Sequence, residues 1–252
     1  MQKFGYLSPA LPRIFAHRGF ANNYAENTLE AFKSAIIAAA THIESDLQVT
    51  RDGVAVLFHD DNLSRVAGLP VRISELTLGQ LRGLELIDGG FIPTLEQALT
   101  AFPSARFNLD FKVWGVIEPA AEVINRLQAG NRVLVTSFSE RRRAAALKLL
   151  HGEVASAAGS SRVLGLYIGY LFGFKTLINR LARSVQLLQL PISAGVMRFD
   201  NRKFIEAMAN AGLEVHFWTI NEPAEMTRLI GLGAHGIVTD RVDLAVNTLR
   251  MQ

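Results

Sequence analysis

Residues 43–59 read IESDLQVTRDGVAVLFH and contain two apolar runs, Ile43–Val49 and Val54–Phe58, joined by Thr50-Arg51-Asp52-Gly53. Asp-Gly between two apolar runs is a strong signal for a tight β-hairpin turn. The second run is therefore expected to fold back against the first, outside any parallel sheet to which the first belongs. If this hairpin rises above the rim of that sheet, its descending arm ends at the rim and delivers His59 there.

The rest of the chain alternates between short β-like runs and helical patterns. Further strands are predicted at Ile14–Ala16, Arg106–Phe111, Arg132–Thr136, Val154–Ser156, Val185–Leu190, Glu214–Thr219 and Gly236–Val238. Helices are predicted at Thr28–Ala39, Ser74–Leu81, Thr94–Ala101, Val116–Gln128, Glu140–Leu149, Ser161–Leu181, Arg202–Ala211, Pro223–Leu232 and Leu244–Leu249. The nine strands are one too many for an eight-stranded barrel, and the Asp52-Gly53 hairpin removes one of them. We therefore expect an α/β protein, a TIM (β/α)8 barrel with an extra β-hairpin arm after the second strand.

Composition narrows the class of protein. Of the 252 residues, 49% are hydrophobic and 19% are charged, which is typical of a globular chain. No linker or internal repeat interrupts the pattern, so residues 1–252 are expected to form a single domain. Cysteine is absent, which excludes disulfides, thiolate metal sites and a cysteine nucleophile. The only basic run, Arg141-Arg142-Arg143, is expected to lie with Lys148 on a solvated helix face, and no nucleic-acid partner is predicted.

The apolar segments indicate the expected location of the protein. Residues Met1–Leu7 lack the long apolar region of a signal peptide, so we expect a cytoplasmic protein. The most apolar stretch, Val163–Phe174, has about a dozen residues, whereas roughly 20 are needed to span a bilayer. Two interpretations of this stretch stay open: a helix of the barrel or over its active site, and an interfacial contact that makes the protein peripheral to the membrane. The second is supported by flanking positive charges, which are Arg162, Lys175, Arg180 and Arg183.

Polar residues follow several predicted strands, at the positions where barrel enzymes keep their active sites. His17-Arg18-Gly19 ends the first strand and offers a group that transfers protons near neutral pH beside a donor fork suited to phosphate. Glu44 and Asp46 lie two apart on the second strand, so their side chains face the same side. Two such carboxylates repel each other unless a cation lies between them, and the alternative is that both face solvent. With Asp110 they form an all-oxygen set suited to Mg²⁺ or Ca²⁺.

Three more side chains complete the candidate site. His59 would be a second histidine near His17, so that one removes a proton while the other donates one. Lys112 shares a face with Asp110, and either neutralises phosphate charge or pairs with the carboxylates. Trp218 ends the penultimate strand and is a candidate pocket wall, with a core tryptophan as the alternative. Taken together, these groups are typical of metal-assisted phosphodiester cleavage.

In this order the motifs resemble the glycerophosphodiester phosphodiesterase family over nearly the whole chain. The stretch ENTLEAF after His-Arg-Gly, followed by E-x-D and H-D, is a highly specific combination. The matching motifs are His17–Gly19, Glu26–Phe32, Glu44–Leu47, Thr50–Gly53, His59-Asp60, Ile92–Glu96, Asn108–Lys112, Ser137-Phe138, Trp218–Asn221 and Gly236–Asp240. The resemblance implies a barrel enzyme that hydrolyses glycerophosphodiesters to sn-glycerol 3-phosphate and an alcohol.

The resemblance also implies roles for individual residues, with one divalent cation, Mg²⁺ or Ca²⁺, as cofactor. The implied roles are general acid and base for His17 and His59, metal ligands for Glu44, Asp46 and Asp110, and substrate or phosphate contacts for Arg18, Lys112 and Trp218. The usual third ligand of the family is a glutamate in an N-x-E-x-K motif, and Asp110 stands at that position in this sequence. Asn27 is expected to cap the first long helix.

Two other functions are considered beside hydrolysis of a small-molecule glycerophosphodiester in glycerophospholipid degradation. A lysophospholipase D uses the same site on a substrate that keeps an acyl chain, and Val163–Phe174 would then supply apolar surface or membrane contact. A barrel without activity, which only binds a lipid head group or scaffolds a partner, is disfavoured because no motif histidine or carboxylate is missing.

Overall fold

A computed structural model of the chain describes residues 5–250. Strands β1–β11 are Arg13–Ala16, His42–Val49, Ala55–Leu57, Phe107–Phe111, Val133–Thr136, Ala155–Ser156, Leu187–Leu190, Ser193–Ala194, Met197–Arg198, Glu214–Phe217 and Gly236–Thr239. Helices α1–α11 are Leu29–Ile37, Ser64–Ala67, Leu78–Leu81, Leu95–Ala101, Ile117–Arg126, Glu140–Leu149, Ser160–Leu171, Lys175–Ala182, Arg202–Asn210, Pro223–Gly231 and Val242–Arg250.

The parallel strands form a nearly closed barrel. They follow one another in the order β6-β5-β4-β2-β1-β11-β10-β7. Ala157 and Leu187 form a parallel bridge between the two ends of this order, and the Gln186 amide donates to the Ser156 carbonyl at 2.9 Å. The prediction of an α/β TIM barrel is therefore confirmed.

The β2–β3 hairpin forms the arm outside the barrel. β3 pairs with β2 in the antiparallel sense, as the Asp-Gly signal predicts. Gly53 has a φ of +79°, which glycine adopts without the steric cost of a Cβ, and Asp52 accepts a hydrogen bond from the Thr50 hydroxyl at 2.6 Å. The Phe58 amide donates to the Asp46 carbonyl at 2.8 Å. This bond sets the residue that follows, His59, beside the middle of β2, close to Asp46.

The core lies between the barrel strands and the helices that cover them. Strands β1, β4 and β11 are buried along their whole length, because helices cover their outer face and side chains fill the barrel interior. Phe32 of α1 packs edge-on against Phe107 of β4, with ring centroids 5.6 Å apart. Such contacts hold the helices in place, so that the loops after the strands share a rigid base.

A buried ion pair lies at the opposite end of the barrel from those loops, where β1 and β10 begin. Arg13, which is 4% exposed, donates to the two carboxylate oxygens of Glu214 at 2.7 and 2.6 Å and to the Leu7 carbonyl at 2.8 Å. Burial alone would raise the pKa of Glu214, but hydrogen bonds from Arg13 and His216 lower it to about 2. The pair therefore stabilises the start of β1 against that of β10.

The prediction that Asn27 caps the first helix is wrong, because Thr28 is the cap of α1. The Thr28 hydroxyl accepts a hydrogen bond from the Ala31 amide at 3.2 Å. Asn27 has a φ of +59°, outside the extended region of a capping residue, and its side-chain oxygen accepts from the Ser45 hydroxyl at 2.6 Å. Both residue types cap helices, and the contact between Asn27 and β2 decides between them.

The helix predicted over Ser161–Leu181 is two helices, α7 and α8. Gly173, with a φ of +67°, ends α7, and the Phe174 amide donates to the Gly169 carbonyl at 2.8 Å. α8 then folds back along α7, since Arg162 donates to the Leu181 carbonyl at 2.6 Å. A Cβ on Gly169 would lie 2.9 Å from a side-chain carbon of Ile178, so the glycine permits the close approach of the two helices.

The expectation that Arg141-Arg142-Arg143 lies on a solvated face is wrong for Arg143. This side chain is 2% exposed and donates to the Ser156 hydroxyl at 3.0 Å and to Glu140. Consecutive residues point in different directions around a helix, so a run of three arginines turns one of them toward the core. Glu140 supplies the carboxylate partner that makes burial of this guanidinium tolerable.

Two further local features differ from the sequence prediction. The helix predicted over Ser74–Leu81 is divided into a 3-10 turn, Ile73–Glu75, and α3. Thr77 separates them because its hydroxyl caps α3, accepting from the Gln80 amide at 3.3 Å. The short antiparallel pair β8–β9 was not predicted, since two residues per strand carry no readable periodicity.

Candidate active site

A cavity of about 450 Å³ opens where the barrel strands end. Its lining includes every residue for which the sequence predicts a site role, namely His17, Arg18, Glu44, Asp46, His59, Asp110, Lys112 and Trp218. The structure therefore brings these side chains together, although they come from four different barrel strands and the hairpin arm.

Each of the two histidines is oriented by a carboxylate. His17 Nδ1 lies 2.7 Å from Asp240 Oδ1, and the other oxygen of Asp240 accepts from the Asn221 amide at 2.8 Å. His59 Nδ1 lies 2.7 Å from Asp60 Oδ1. An ionised carboxylate only accepts hydrogen bonds, so Nδ1 carries the proton in both rings and Nε2 is left to face a ligand. Burial would lower the pKa of His17, but the Asp240 hydrogen bond and the Glu44 charge raise it above its usual range.

A chain of charged contacts connects His59 to Arg18 in the loop after β1. Arg65 Nε donates to Asp60 at 2.7 Å, and the other end of the Arg65 guanidinium donates to Glu26 at 2.5 Å. Glu26 also accepts from Arg18 at 2.9 Å. Burial would raise the pKa of Asp60, but hydrogen bonds from Arg65 and His59 lower it below its usual range. The Asp60 carboxylate therefore stays ionised. These contacts hold the loop after β1 against the end of the hairpin arm.

Lys112 lies between two of the three candidate metal ligands. Its Nζ is 3.0 Å from Asp46 Oδ1 and 3.1 Å from Asp110 Oδ2. Burial would lower the pKa of Lys112, but the two carboxylates raise it and keep the ammonium protonated. Glu44 accepts from the Arg18 backbone amide at 3.0 Å. Burial and the neighbouring charge of Asp46 raise the pKa of Glu44 to about 8.

The carboxylates of Glu44, Asp46 and Asp110 are of the ligand type that hard divalent cations such as Mg²⁺ and Ca²⁺ prefer. Asp46 Oδ2 and Asp110 Oδ1 are buried without a hydrogen-bond partner among the described residues. Oxygen atoms in this condition are well suited to bind a cation. In their present positions, however, residues 5–250 contain no group of three or more histidine, aspartate or glutamate side chains placed to hold a metal ion. The ligand types therefore fit the ion, while Lys112 holds Asp46 and Asp110 in this arrangement.

Much of the remaining lining is apolar. Trp218 is part of the cavity wall, and its ring lies edge-on to Phe138 with centroids 6.0 Å apart. The other apolar lining residues include Val163, Leu190, Met197 and Phe199. The cavity thus combines a charged side that suits a phosphodiester with a surface that suits hydrocarbon.

Asn108 and Gln189 also line the cavity, and no role is predicted for either of them from the sequence. The Asn108 amide donates to Gln189 Oε1 at 3.0 Å, across the barrel from β4 to β7. Asn108 Oδ1 and Gln189 Nε2 are buried without another partner among the described residues. A signal was present for Asn108, which stands two residues before Asp110 and so shares its face. Gln189 interrupts the apolar run Leu187–Leu190.

Comparison with known proteins agrees with this geometry. The model of the "Glycerophosphoryl diester phosphodiesterase family" matches residues 17–244. "Probable glycerophosphodiester phosphodiesterase 2" of Mycobacterium tuberculosis is 40% identical over 235 residues, covering 93% of this chain and 89% of that protein. "Lysophospholipase D GDPD1" of Homo sapiens is 26% identical over 268 residues, covering 91% of this chain and 83% of that protein.

A solved structure shares the fold. It is an Oleispira antarctica phosphodiesterase in complex with the product sn-glycerol-3-phosphate. The TM-score is 0.75 at 22% sequence identity, and the match covers 94% of this chain and 96% of the other. At this level of identity the likeness concerns the barrel.

Proposed function

The chain belongs to the glycerophosphoryl diester phosphodiesterase family and is a glycerophosphodiester phosphodiesterase, and from that premise we propose that His17 and His59 perform acid–base catalysis of the hydrolysis. The proposed products are sn-glycerol 3-phosphate and an alcohol, of which the first is bound by the Oleispira antarctica relative. We also propose that residues 1–252 form one such domain, which is supported by a main hydrophobic core whose members run from Ile14 to Ala245.

One observation carries the mechanism: two histidines line the same cavity, and each is held by a carboxylate at Nδ1. The arrangement leaves both Nε2 atoms for the substrate, one to accept a proton and the other to donate one. Arg18 and Lys112 line the same cavity and provide positive charge for a phosphate.

The proposed reaction has two steps. In the first, a substrate hydroxyl beside the phosphodiester attacks phosphorus and gives its proton to one histidine. The other histidine protonates the oxygen of the departing alcohol, which leaves a cyclic phosphate. In the second step the histidines exchange roles, water adds to phosphorus, and the ring opens to the phosphomonoester. Arg18 and Lys112 stabilise the negative charge that develops on the phosphoryl oxygens.

Glu44, Asp46 and Asp110 are the residues that we propose to hold one divalent cation, Mg²⁺ or Ca²⁺. When bound there, the cation supplies Lewis-acid stabilisation of phosphoryl oxygen charge. The proposal is supported by one oxygen each of Asp46 and Asp110 that is buried without a hydrogen bond, although Arg18 Nε lies 3.5 Å from that of Asp46. It is also supported by the raised pKa of Glu44, because a cation relieves the mutual repulsion of buried carboxylates.

Removal of the cation with a chelator is expected to abolish hydrolysis of glycerophosphocholine, and addition of Mg²⁺ or Ca²⁺ is expected to restore it. The measurement is an enzymatic assay for released sn-glycerol 3-phosphate, with circular dichroism to show that the barrel stays folded. Full turnover in excess chelator would contradict the proposed role of the cation. Absence of sn-glycerol 3-phosphate under every metal condition would instead contradict the proposed products.

A second candidate function, lysophospholipase D activity, is favoured by the apolar part of the cavity. Val163, Met197 and Phe199 offer a surface for an acyl chain next to the charged groups. The human relative is named for this activity. Comparing the kcat/KM values for glycerophosphocholine and for lysophosphatidylcholine decides between the two substrate classes.

A further inference from the structure

Helix α7 has two apolar stripes, and only one of them is covered by the described protein. The inner stripe packs against the barrel and α9, where the ring centroids of Tyr167 and Tyr170 lie 5.8 and 5.3 Å from that of Phe204. The outer stripe repeats at i, i+4, i+7 and i+8 and is exposed, and its members are Leu164, Ile168, Leu171 and Phe172. A helix that is apolar on both faces is normally buried on both, so the outer stripe needs an explanation.

The turn between α7 and α8 extends this exposed stripe to a protruding tip. Phe172 and Phe174 are 68% and 54% exposed, and their rings stack with centroids 5.7 Å apart. Gly173 between them supplies the left-handed turn that sets the two rings side by side. Two large, exposed aromatic rings at a turn between helices are suited to insertion into the interface of a bilayer.

The charge around the tip has one sign. Residues 154–199 contain no aspartate or glutamate. Lys175, Arg180 and Arg183 are exposed, and no ion pair with another described residue satisfies them. By contrast, Arg162 at the start of α7 is paired with Glu140 at 2.8 Å. The exposed apolar stripe is thus accompanied by positive charge that is free to meet an anionic surface.

We propose that the α7–α8 hairpin docks the enzyme on the surface of a bilayer that contains anionic lipid. Phe172 and Phe174 enter the interface between head groups and acyl chains, and Lys175 and Arg180 contact the anionic head groups. The hairpin lies in the interface and does not cross it, since no helix within residues 5–250 is long and apolar enough to span a membrane.

A second copy of the chain is the rival occupant of this surface. A symmetric dimer places the same patch of both copies face to face. Lys175, Arg180 and Arg183 of one copy would then approach the equivalent cations of the other, and residues 154–199 supply no carboxylate to separate them. The one-signed charge therefore favours a lipid surface over self-association.

Helix α7 contributes both to the cavity and to the exposed stripe. Val163 lines the cavity, and the next residue, Leu164, begins the exposed stripe. The docked helix would therefore also form part of the cavity wall, which suits a substrate drawn from the bilayer. This link to substrate supply rests on the proposed function, whereas the docking itself does not.

The test is co-sedimentation with phosphatidylcholine vesicles, with and without phosphatidylglycerol. The unchanged chain is expected to bind the anionic vesicles, less so as salt is raised. Phe172→Ser combined with Phe174→Ser is expected to weaken vesicle partitioning by about tenfold or more. Lys175→Glu combined with Arg180→Glu is expected to weaken it by at least about fivefold for each position.

The matched control is Ile37→Ser, which removes a side chain that is 75% exposed in α1. It should leave vesicle partitioning unchanged. Unchanged partitioning of the double phenylalanine variant overturns the proposal, and so does light scattering that shows a dimer dissociated by the same two substitutions. Hydrolysis of soluble glycerophosphocholine should be the same in all variants. If the unchanged chain fails to hydrolyse it, the proposed function fails, while the vesicle result still decides the docking.

Discussion

Replacement of either His17 or His59 by alanine is expected to lower kcat/KM for glycerophosphocholine by about 10²–10⁴-fold and to leave the barrel folded. Each substitution removes one of the two groups that move protons in the proposed reaction. Neither ring is part of the main hydrophobic core, and each lies at the cavity with a carboxylate partner, so its loss creates no buried void. Steady-state release of sn-glycerol 3-phosphate measures the effect.

His151→Ala is the matched control, because His151 is exposed and lies outside the cavity lining. Its activity should equal that of the unchanged chain. Near-normal turnover in either His17→Ala or His59→Ala would contradict acid–base catalysis by the pair. A circular dichroism melt of each variant separates a loss of chemistry from a loss of fold.

Arg13→Ala is expected to lower the free energy of unfolding by about 3–5 kcal/mol, which corresponds to a fall in Tm of about 10 °C. The change leaves Glu214 charged next to the buried His216 without the guanidinium that now holds both of its oxygens. Burial lowers the pKa of His216, so the imidazole does not replace the lost positive charge. Chemical and thermal unfolding followed by circular dichroism measure the effect.

The control for this prediction is Arg241→Ala, which removes an exposed ion pair with Asp243. Exposed pairs contribute little, so a loss below about 1 kcal/mol is expected. Equal losses of unfolding free energy in the two variants would show that the Arg13–Glu214 pair contributes no more to stability than an exposed pair does.

The same ion pair is expected to make stability depend on pH in the acid range. The folded pKa of Glu214 is about 2 and its usual value is 4.5, so the ionised form is favoured in the folded chain. Its stabilisation is fully present above pH 4.5 and is lost as pH falls toward 2, with a total of about 3 kcal/mol. Urea unfolding across this range should show a smaller pH dependence in Arg13→Ala than in the unchanged chain. An equal pH dependence of stability in both proteins would contradict the assignment of this effect to the Arg13–Glu214 pair.

The barrel and the cavity lining were predictable because their signals are local. Strand and helix alternation is read within short windows, and polar residues at strand ends meet at one edge of a parallel sheet whatever fills the core. The Asp52-Gly53 turn is equally local, and it correctly removed one strand from the count. For these reasons His17 and His59 were expected in one place although 42 positions separate them in the sequence.

Features that depend on tertiary contacts were not predictable in this way. Thr28 is the cap of α1 only because β2 holds Asn27 in a left-handed conformation. The hydrogen bond between Asn108 and Gln189 joins strands that lie far apart along the chain, and no sequence period reports it. Arg143 is buried because Glu140 and Ser156 meet it there. In each case a distant partner overrides the local preference of the residue.

The β2–β3 hairpin places the two catalytic candidates on different parts of the fold. His17 follows barrel strand β1, whereas His59 follows β3 of the arm, which contacts the loop after β1 through Arg65 and Glu26. β3 is buried along its length, and Ala55 and Leu57 belong to the main hydrophobic core. The position of His59 therefore depends on the packing that stabilises the barrel, so activity and tertiary structure are expected to be lost together on heating.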